Sequence, residues 1–446
     1  MHVLVNKDKI AEKIIAEFYI IFLPFQMLVP FLWLTERMRG MALYFDFFIS
    51  LIGLMLMMKK WPSSNLHNSL IFTIGCVELI SLINAIRLYR VVGTTLGETT
   101  FTAISGQCIY WIQYYFIIVY SAHVIDLIGM KKICKLLKKV EAIMLVLGYI
   151  QMVALYIQSS VLGRVLDELA VIFQTYSFTE MIKESRITLL FSEPAFAGYY
   201  LGTLVFPFIL FEIVENNDLH KNLVRLLLWL PVVISISSSN CYVILIIELI
   251  AAAFFYLKKN RLKINLYILI SAIAAGTIII LLVMMGRMPN IGYYAFEKLF
   301  DKTNMSVAWR YIPYYVNWGC FKSSFLIGIG NGNQGFFYWE HFPQWADELL
   351  KLTETYALKK SEIGNGALFF PSCLAGYGII GCSIVAFLCV ECRKRMINTR
   401  YYYLYAILIL GIVVRGMVSD FVGCYDVFLA VGMPFSKIIF DKKMVE

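Results

Sequence analysis

Apolar runs of about 17–25 residues recur along the chain, each long enough to cross ~30 Å of hydrocarbon as a helix. Within lipid every backbone N–H and C=O needs an internal partner, which confines such a chain to helical spans or a closed barrel. The uninterrupted apolar runs favour helices. They fall near 14–34, 41–58, 69–86, 104–130, 140–162, 189–215, 224–238, 241–257, 264–285, 365–391, 401–417 and 421–440. About twelve spans are therefore expected, in an all-α integral membrane protein with both termini cytoplasmic. Sixty per cent hydrophobic residues and a mean hydropathy of +0.72 place the chain outside the soluble globular range. The first run has no short apolar segment followed by a small-residue cleavage site, so it reads as a retained helix.

The formal charge of +9 does not indicate a nucleic-acid partner. Lys and Arg gather in short connections at 59–60, 131–139, 258–263, 393–400 and 442–443, the distribution of cytoplasmic loops. The same parity resolves 224–257, which is long for one crossing and short for two. Ser237-Ser238-Ser239-Asn240 reads as a turn between two short helices, keeping the next basic cluster on the cytoplasmic side. Of the ten cysteines only Cys320 falls in the one long polar segment, so no disulfide framework is implied. Cys389 and Cys392 form an isolated C-x-x-C, read as chance.

The whole chain, 1–446, reads as a single polytopic membrane domain with two extracytoplasmic excursions. One, 163–188, has apolar positions near helical spacing and reads as a helix lying in the interface. The other, 286–364, is polar and aromatic-rich, with eight Lys/Arg against seven Asp/Glu. Any chemistry is expected there first. Within it Trp309, Tyr311, Tyr314, Tyr315 and Trp318 surround Pro313, expected to kink a helix. Trp339, Trp345 and their aromatic neighbours read either as interfacial anchors or as stacking surfaces for sugars.

Several polar residues are candidates for chemistry. Arg186 precedes Ser192-Glu193-Pro194; Ser192 suits an N-cap and Glu193-Pro194 a first helical turn. The capping role competes with a functional one, in which Arg186 and Glu193 stand together at the outer membrane face. Arg287 and Arg310 carry permanent charge on a rigid fork of donors suited to a pyrophosphate. Gly330-Asn331-Gly332-Asn333-Gln334-Gly335 matches G-x-G-x-x-G but lacks a βαβ frame, so a tight turn with close backbone approach explains it better than a dinucleotide site. His341, with an ordinary pKa near 6.5, is a candidate base or simply an exposed loop residue. Asp46, Glu78, Asp126, Glu248 and Arg415 lie within apolar runs, where ionisable groups are costly and each is a functional candidate. Glu78 and Glu248 would suit a proton pathway; Arg415 would suit a phosphate contact or a structural pair. No metal-ligand cluster and no cofactor motif is present in the sequence.

The order of these features resembles the Wzy-type O-antigen and capsular polysaccharide polymerases, within the O-antigen ligase/polymerase superfamily. The resemblance rests on Arg186 with Phe191-Ser192-Glu193-Pro194 and Gly198, and on the long loop between late spans. It rests also on Arg310 followed by Gly328-Ile329-Gly330-Asn331-Gly332-Asn333, and on Asn365-Gly366-Ala367-Leu368 leading to Gly376-Tyr377-Gly378. It implies a GT-C-like glycosyltransferase architecture in the bacterial cytoplasmic membrane, with the active site on the extracytoplasmic face. The implied partners are undecaprenyl-pyrophosphate-linked oligosaccharides, membrane lipid and a chain-length regulator protein, with no cofactor. A growing glycan would leave its carrier for the terminal sugar of an incoming unit, with inversion. Arg186 and Arg310, with Arg287, would stabilise the departing pyrophosphate. Glu193, and after it His341, would take the acceptor proton. Asn331, Asn333, Asn365, Arg415, Trp309 and Tyr314 would bind substrate. The ligases of this superfamily carry a histidine near the Asn that opens the following span; here Gly364 precedes Asn365, which favours a polymerase. A ligase acting on lipid A core and a lipid-linked oligosaccharide flippase are the alternatives.

Overall fold

The computed structural model describes residues 2–23, 51–55, 64–93, 99–173, 175–215, 218–260, 305–346, 368–419 and 426–440, with only the backbone of 2–9, 305–310 and 440. Among these residues every regular element is helical. Helix α1 is His2–Phe22, α2 Asn65–Val92, α3 Thr100–Ile128 and α4 Met130–Ile157. Two short helices follow, α5 Ser160–Phe173 and α6 Phe178–Glu184. Then come α7 Pro194–Tyr200, a π-turn Leu201–Val205, α8 Phe206–Val214, α9 Leu219–Ile236 and α10 Ser239–Lys259. The last elements are α11 Met305–Ser323, α12 Phe369–Met396, α13 Tyr402–Val418 and α14 Asp426–Gly432.

Among the described residues seven helices are long and apolar enough to cross a membrane, counting α7 through α8 as one. The runs expected at 401–417 and 421–440 form shorter apolar helices, Tyr402–Val418 and Asp426–Phe435. Those at 264–285 and most of 41–58 lie outside the described residues. The first run differs from expectation: its helix begins at His2 and ends at Phe22. Among residues 10–23 the buried side chains are Ala16, Tyr19, Ile20 and Leu23, at the end of the helix and just past it.

The basic stretch 131–139 is not a loop. Helix α3 ends and α4 begins at Gly129, whose φ of 75° separates the two helices in one residue. Lys131 to Lys139 thus form the first turns of a 28-residue helix. At 1.5 Å per residue such a helix is about 42 Å long, so its charged end extends beyond ~30 Å of hydrocarbon. The turn at 237–240, by contrast, falls where the sequence puts it: Ser237 ends α9 in the left-handed region and α10 starts at Ser239.

The axis of the bundle is α7 through α8, whose apolar window is 89% buried against 33–50% in the other spans. Its interior π-turn precedes Pro207, which has no N–H to continue the helical ladder. At the far end of this axis the ion pairs collect. Arg225 bonds Glu141 and Glu212, Lys138 reaches Glu212 at 2.6 Å, and Lys259 reaches Glu215 at 2.6 Å. They tie together α4, α8, α9 and α10. Asp126, a candidate from its apolar surroundings, accepts from the Ser436 hydroxyl and from the Lys437 and Ile438 amides at 2.6–3.0 Å. It fastens the C-terminal turns to the bundle.

Candidate active site at the head of the central helix

Opposite the ion-paired end, residues 185–193 lead into α7 in a conformation held from both sides. Gln151 bonds the Leu189 amide and carbonyl through its own side-chain amide, both at 2.9 Å and both buried. The Ile187 amide donates to the Ser235 carbonyl at 3.0 Å. Arg186 extends that contact: its Nε and Nη2 donate to the carbonyls of Ile236 and Ser237, at 3.2 and 2.9 Å. The C-terminal carbonyls of α9 therefore fix the guanidinium plane, a favourable pairing of a cation with the negative end of a helix.

Glu193, not Ser192, is the N-cap of α7. Pro194 at the start of the helix requires an extended residue before it, and Glu193 has φ −144° and ψ 151°. Its side chain makes no capping bond and is exposed, so the capping role read from the sequence is not used. Tyr176, from the connection between α5 and α6, completes this corner. Burial and then the neighbouring Glu193 push its hydroxyl above the ordinary tyrosine range, while Arg186 opposes the shift. Arg186, Glu193 and Tyr176 thus share one electrostatic neighbourhood.

Behind this corner stands Tyr199, a residue the sequence did not single out. The Asn240 side-chain amide donates to its hydroxyl at 2.6 Å, and the Arg415 guanidinium lies 4.9 Å from its ring centroid. Arg415 does not serve as an accessible phosphate contact. It is fully buried and pairs with the equally buried Asp426 at 3.0 Å, while Thr203 of the π-turn donates to the same carboxylate. Asp420, the partner considered from sequence, lies outside the described residues. One turn along α13, Gly411 approaches the Gly202 carbonyl and the fully buried Glu248. A Cβ at Gly411 would stand 2.5 Å from Glu248 Oε1, so only glycine fits.

Tyr314 joins the same end of the molecule. Helix α11 continues through Pro313, and the Tyr314 hydroxyl donates to the Met417 carbonyl at the end of α13. With Tyr315, Trp318 and Phe370 it lines a cavity of about 440 Å³. Trp309 and Arg310 lie in the first turns of α11, where only the backbone is described. Arg287 and Asn365 lie outside the described residues.

Asn331 and Asn333, expected to bind substrate, are buried and bonded within the fold, with the Asn333 Oδ1 left without a partner among the described residues. Helix α12 breaks at Gly378, which takes φ 60° and ψ −165°. The break opens the ladder between the carbonyls of Ala375 and Gly376 and the amides of Ile379 and Ile380. Residues 325–330 take over all four groups. Ile329 and Gly330 donate to Ala375 and Gly376 at 3.0 and 2.8 Å; Phe325 and Leu326 accept from Ile379 and Ile380 at 2.9 and 3.0 Å. These four backbone groups are thereby paired within protein, the condition for tolerating non-helical backbone at membrane depth. Gly328, Gly330 and Gly332 have φ of 68°, 85° and 90°, and a Cβ on Gly328 would collide with the Gly376 carbonyl. The close backbone approach expected of this segment is thus made to protein.

Asn331 then donates to the Tyr377 hydroxyl at 3.0 Å and to Gln107 Oε1 at 3.3 Å, and Asn333 to the Ile329 carbonyl at 2.8 Å. Tyr377 also accepts from the Trp111 ring at 2.6 Å. Gln107 did not stand out in the sequence and Tyr377 did so only as part of the Gly376-Tyr377-Gly378 motif, because polar residues inside an apolar run carry no sign of their partners.

His341 lies elsewhere. Its ring packs on Gly319, on the face of α11 opposite Tyr314 and Trp318. Tyr338, Trp339 and Phe342 pack at 5.0–5.7 Å into a small core with Ile312, Val316 and Cys320 on that face. Their immediate role is packing. Among the described residues no group of three His, Cys, Asp or Glu stands ready to hold a metal.

No protein-family profile matches this chain, and neither a curated protein nor a solved structure is significantly similar to it.

Proposed function

We propose that this protein is a membrane glycosyltransferase of GT-C-like architecture that polymerises lipid-linked oligosaccharide repeat units, with its active site at the head of α7. The acceptor hydroxyl oxygen attacks the anomeric carbon of the growing glycan, and the bond from that carbon to the carrier pyrophosphate breaks. The electron pair leaves with undecaprenyl pyrophosphate, the acceptor proton passes to a carboxylate, and the anomeric centre inverts. The corner made by Arg186 and Glu193 carries the reading. A guanidinium already locked against two carbonyls meets developing negative charge without reorganising, and the exposed Glu193 carboxylate, which with Arg186 acts on Tyr176, accepts a proton. Arg310 and Arg287 are further candidates for the pyrophosphate. The basic helix ends lie at the other end of α7 through α8, which supports an extracytoplasmic site in a bacterial cytoplasmic membrane.

Replacing Arg186 with Ala should remove about 2.7–4 kcal/mol of transition-state stabilisation, roughly 10²–10³ in rate. Glycan from cells carrying Arg186→Ala as their sole copy should lose its long-chain ladder and retain single capped units, with protein in the membrane at normal level. A normal ladder from that variant would refute the assignment. A ligase would instead leave long chains on the carrier when its gene is deleted.

Transport is the second reading, favoured by Glu248. It is fully buried, and neither carboxyl oxygen has a hydrogen-bond partner among the described residues. Glu248→Gln should leave chain extension intact if the protein is a transferase, and should abolish the phenotype if carboxyl protonation drives a flippase.

A further inference from the structure

Arg87, near the end of α2, is exposed yet held in place. Its Nη2 donates to the Ser324 hydroxyl at 3.0 Å and to the Gly328 carbonyl at 3.2 Å. The donors on Nε and Nη1 meet no acceptor among the described residues. Arg90 follows one turn later on the same flank and is also exposed. Among the described residues no Asp or Glu pairs with either. Thr100, at the start of α3, donates to the Ala85 carbonyl at 3.0 Å, and α3 then runs to the lysines of α4. Both arginines therefore lie at the end of the bundle opposite the ion pairs. Ser324 leads directly into apolar surface. Phe325 and Leu326 accept from Ile379 and Ile380, and these four side chains are 44–52% exposed. Ile379 and Ile380 also open a groove of about 440 Å³ between α2 and α12, bounded by Phe72, Thr73, Ile384 and Phe387.

We infer that this surface binds an anionic phospholipid, its phosphodiester on Arg87 and Arg90 and one acyl chain in the groove. A fixed fork with free donors suits phosphate oxygens, and the second cation favours a lipid of net negative charge over a zwitterion. Length selects the chain. Gly376 lies against Gly328, and from there to Phe387 α12 advances eleven residues, about 16 Å at helical rise. One leaflet supplies about 15 Å, half of a ~30 Å hydrocarbon core. An acyl chain therefore ends where the groove ends, whereas a long polyprenyl chain overruns it. The dipole of α2 accounts for a cation in its last turn, and the 324–328 turn accounts for two donors of Arg87. Neither accounts for accessible donors standing at the head of an apolar groove. The site makes no use of the proposed reaction.

Photolabelling of the full-length protein in phosphatidylcholine liposomes tests the site. The probe is a trace of phosphatidylglycerol carrying a diazirine midway along one acyl chain. Irradiation should label peptides covering 69–73 and 379–387. Unlabelled phosphatidylglycerol should suppress that label roughly tenfold more effectively than phosphatidylethanolamine with the same chains. Arg87→Gln also releases the 324–328 turn, so Arg90→Gln, which breaks no bond among the described residues, carries the charge test. It should cut the advantage of phosphatidylglycerol several-fold. Ser383→Trp, which fills the groove from its exposed side, should remove the label from 69–73. Equal suppression by the two lipids would mean ordinary boundary lipid only and overturns the site. An advantage unchanged in Arg90→Gln, or label confined to other spans, does the same. Suppression by a polyprenyl phosphate as effective as by phosphatidylglycerol overturns the assigned occupant.

Discussion

At the residue scale, one buried pair decides how the neighbourhood of the site is held. Arg415 and Asp426 are both inaccessible and joined at 3.0 Å, so removing one leaves the other charged in a dry interior. Asp426→Ala is expected to cost about 3–5 kcal/mol, and exchanging both for Met and Leu should restore most of that loss. Thermal unfolding of the detergent-purified variants measures it. A double variant no more stable than the single one would show that the charges are not what couples these positions. Arg415 was legible in the sequence as an ionisable residue in an apolar run, and its cost in lipid was legible with it. Its partner was not. Asp426 lies eleven residues on in the chain and reaches Arg415 only through the packing of α13, α14 and the π-turn. Glu193 shows the converse: its position at a helix start could be read locally, because Pro194 dictates the backbone there, but its uncapped, exposed carboxylate could not.

Elements add constraints that no single residue carries. The run at 325–330 and the break in α12 are complementary halves of one structure, since four backbone groups released by Gly378 are satisfied only by that run. Gly328→Ala would place a Cβ against the Gly376 carbonyl at a positive φ. The left-handed backbone alone costs roughly 1–2 kcal/mol, and the collision adds to it. Faster proteolysis at 325–330 with α2 and α3 still protected is the expected result; unchanged cleavage would contradict the pairing. The glycines themselves announced a tight approach in the sequence, but not its object, because a broken helix and an unbroken one have the same apolar composition. Helix α6 makes a smaller, pH-dependent case. The Ser177 amide and hydroxyl both donate to Glu180 and hold its carboxyl below the ordinary value of 4.5. A depressed carboxylate contributes above its ordinary pKa and loses that contribution as pH falls through the lowered one. The first turn of α6 should therefore exchange its amides faster, relative to intrinsic rates, as pH falls below the ordinary carboxylate range. Ser177→Ala should show that faster exchange already at pH 7.

For the whole molecule, the informative quantity is the distance between its two polar ends. The 21 residues of Pro194–Val214 rise about 31 Å at 1.5 Å each, close to the ~30 Å of a hydrocarbon core. Arg186 and Glu193 stand at one end. At the other, Lys138, Arg225 and Lys259 meet the carboxylates of Glu141, Glu212 and Glu215. Charge placement along the sequence already separated these ends, since Lys and Arg crowd the helix termini on one side while in the long loop eight Lys/Arg are nearly balanced by seven Asp/Glu. If the ion-paired end is cytoplasmic, Glu340 in the loop and Lys394 at the end of α12 face opposite compartments, and both are exposed. Cysteines introduced by Glu340→Cys and Lys394→Cys, in a background lacking the exposed Cys389, should separate under a membrane-impermeant maleimide. The first should react in intact cells and the second only after permeabilisation. The opposite pattern would put the guanidinium of Arg186 in the cytoplasm, where it could not meet a carrier pyrophosphate presented outside. Labelling of both from one side would break the link between the long central helix and a membrane crossing.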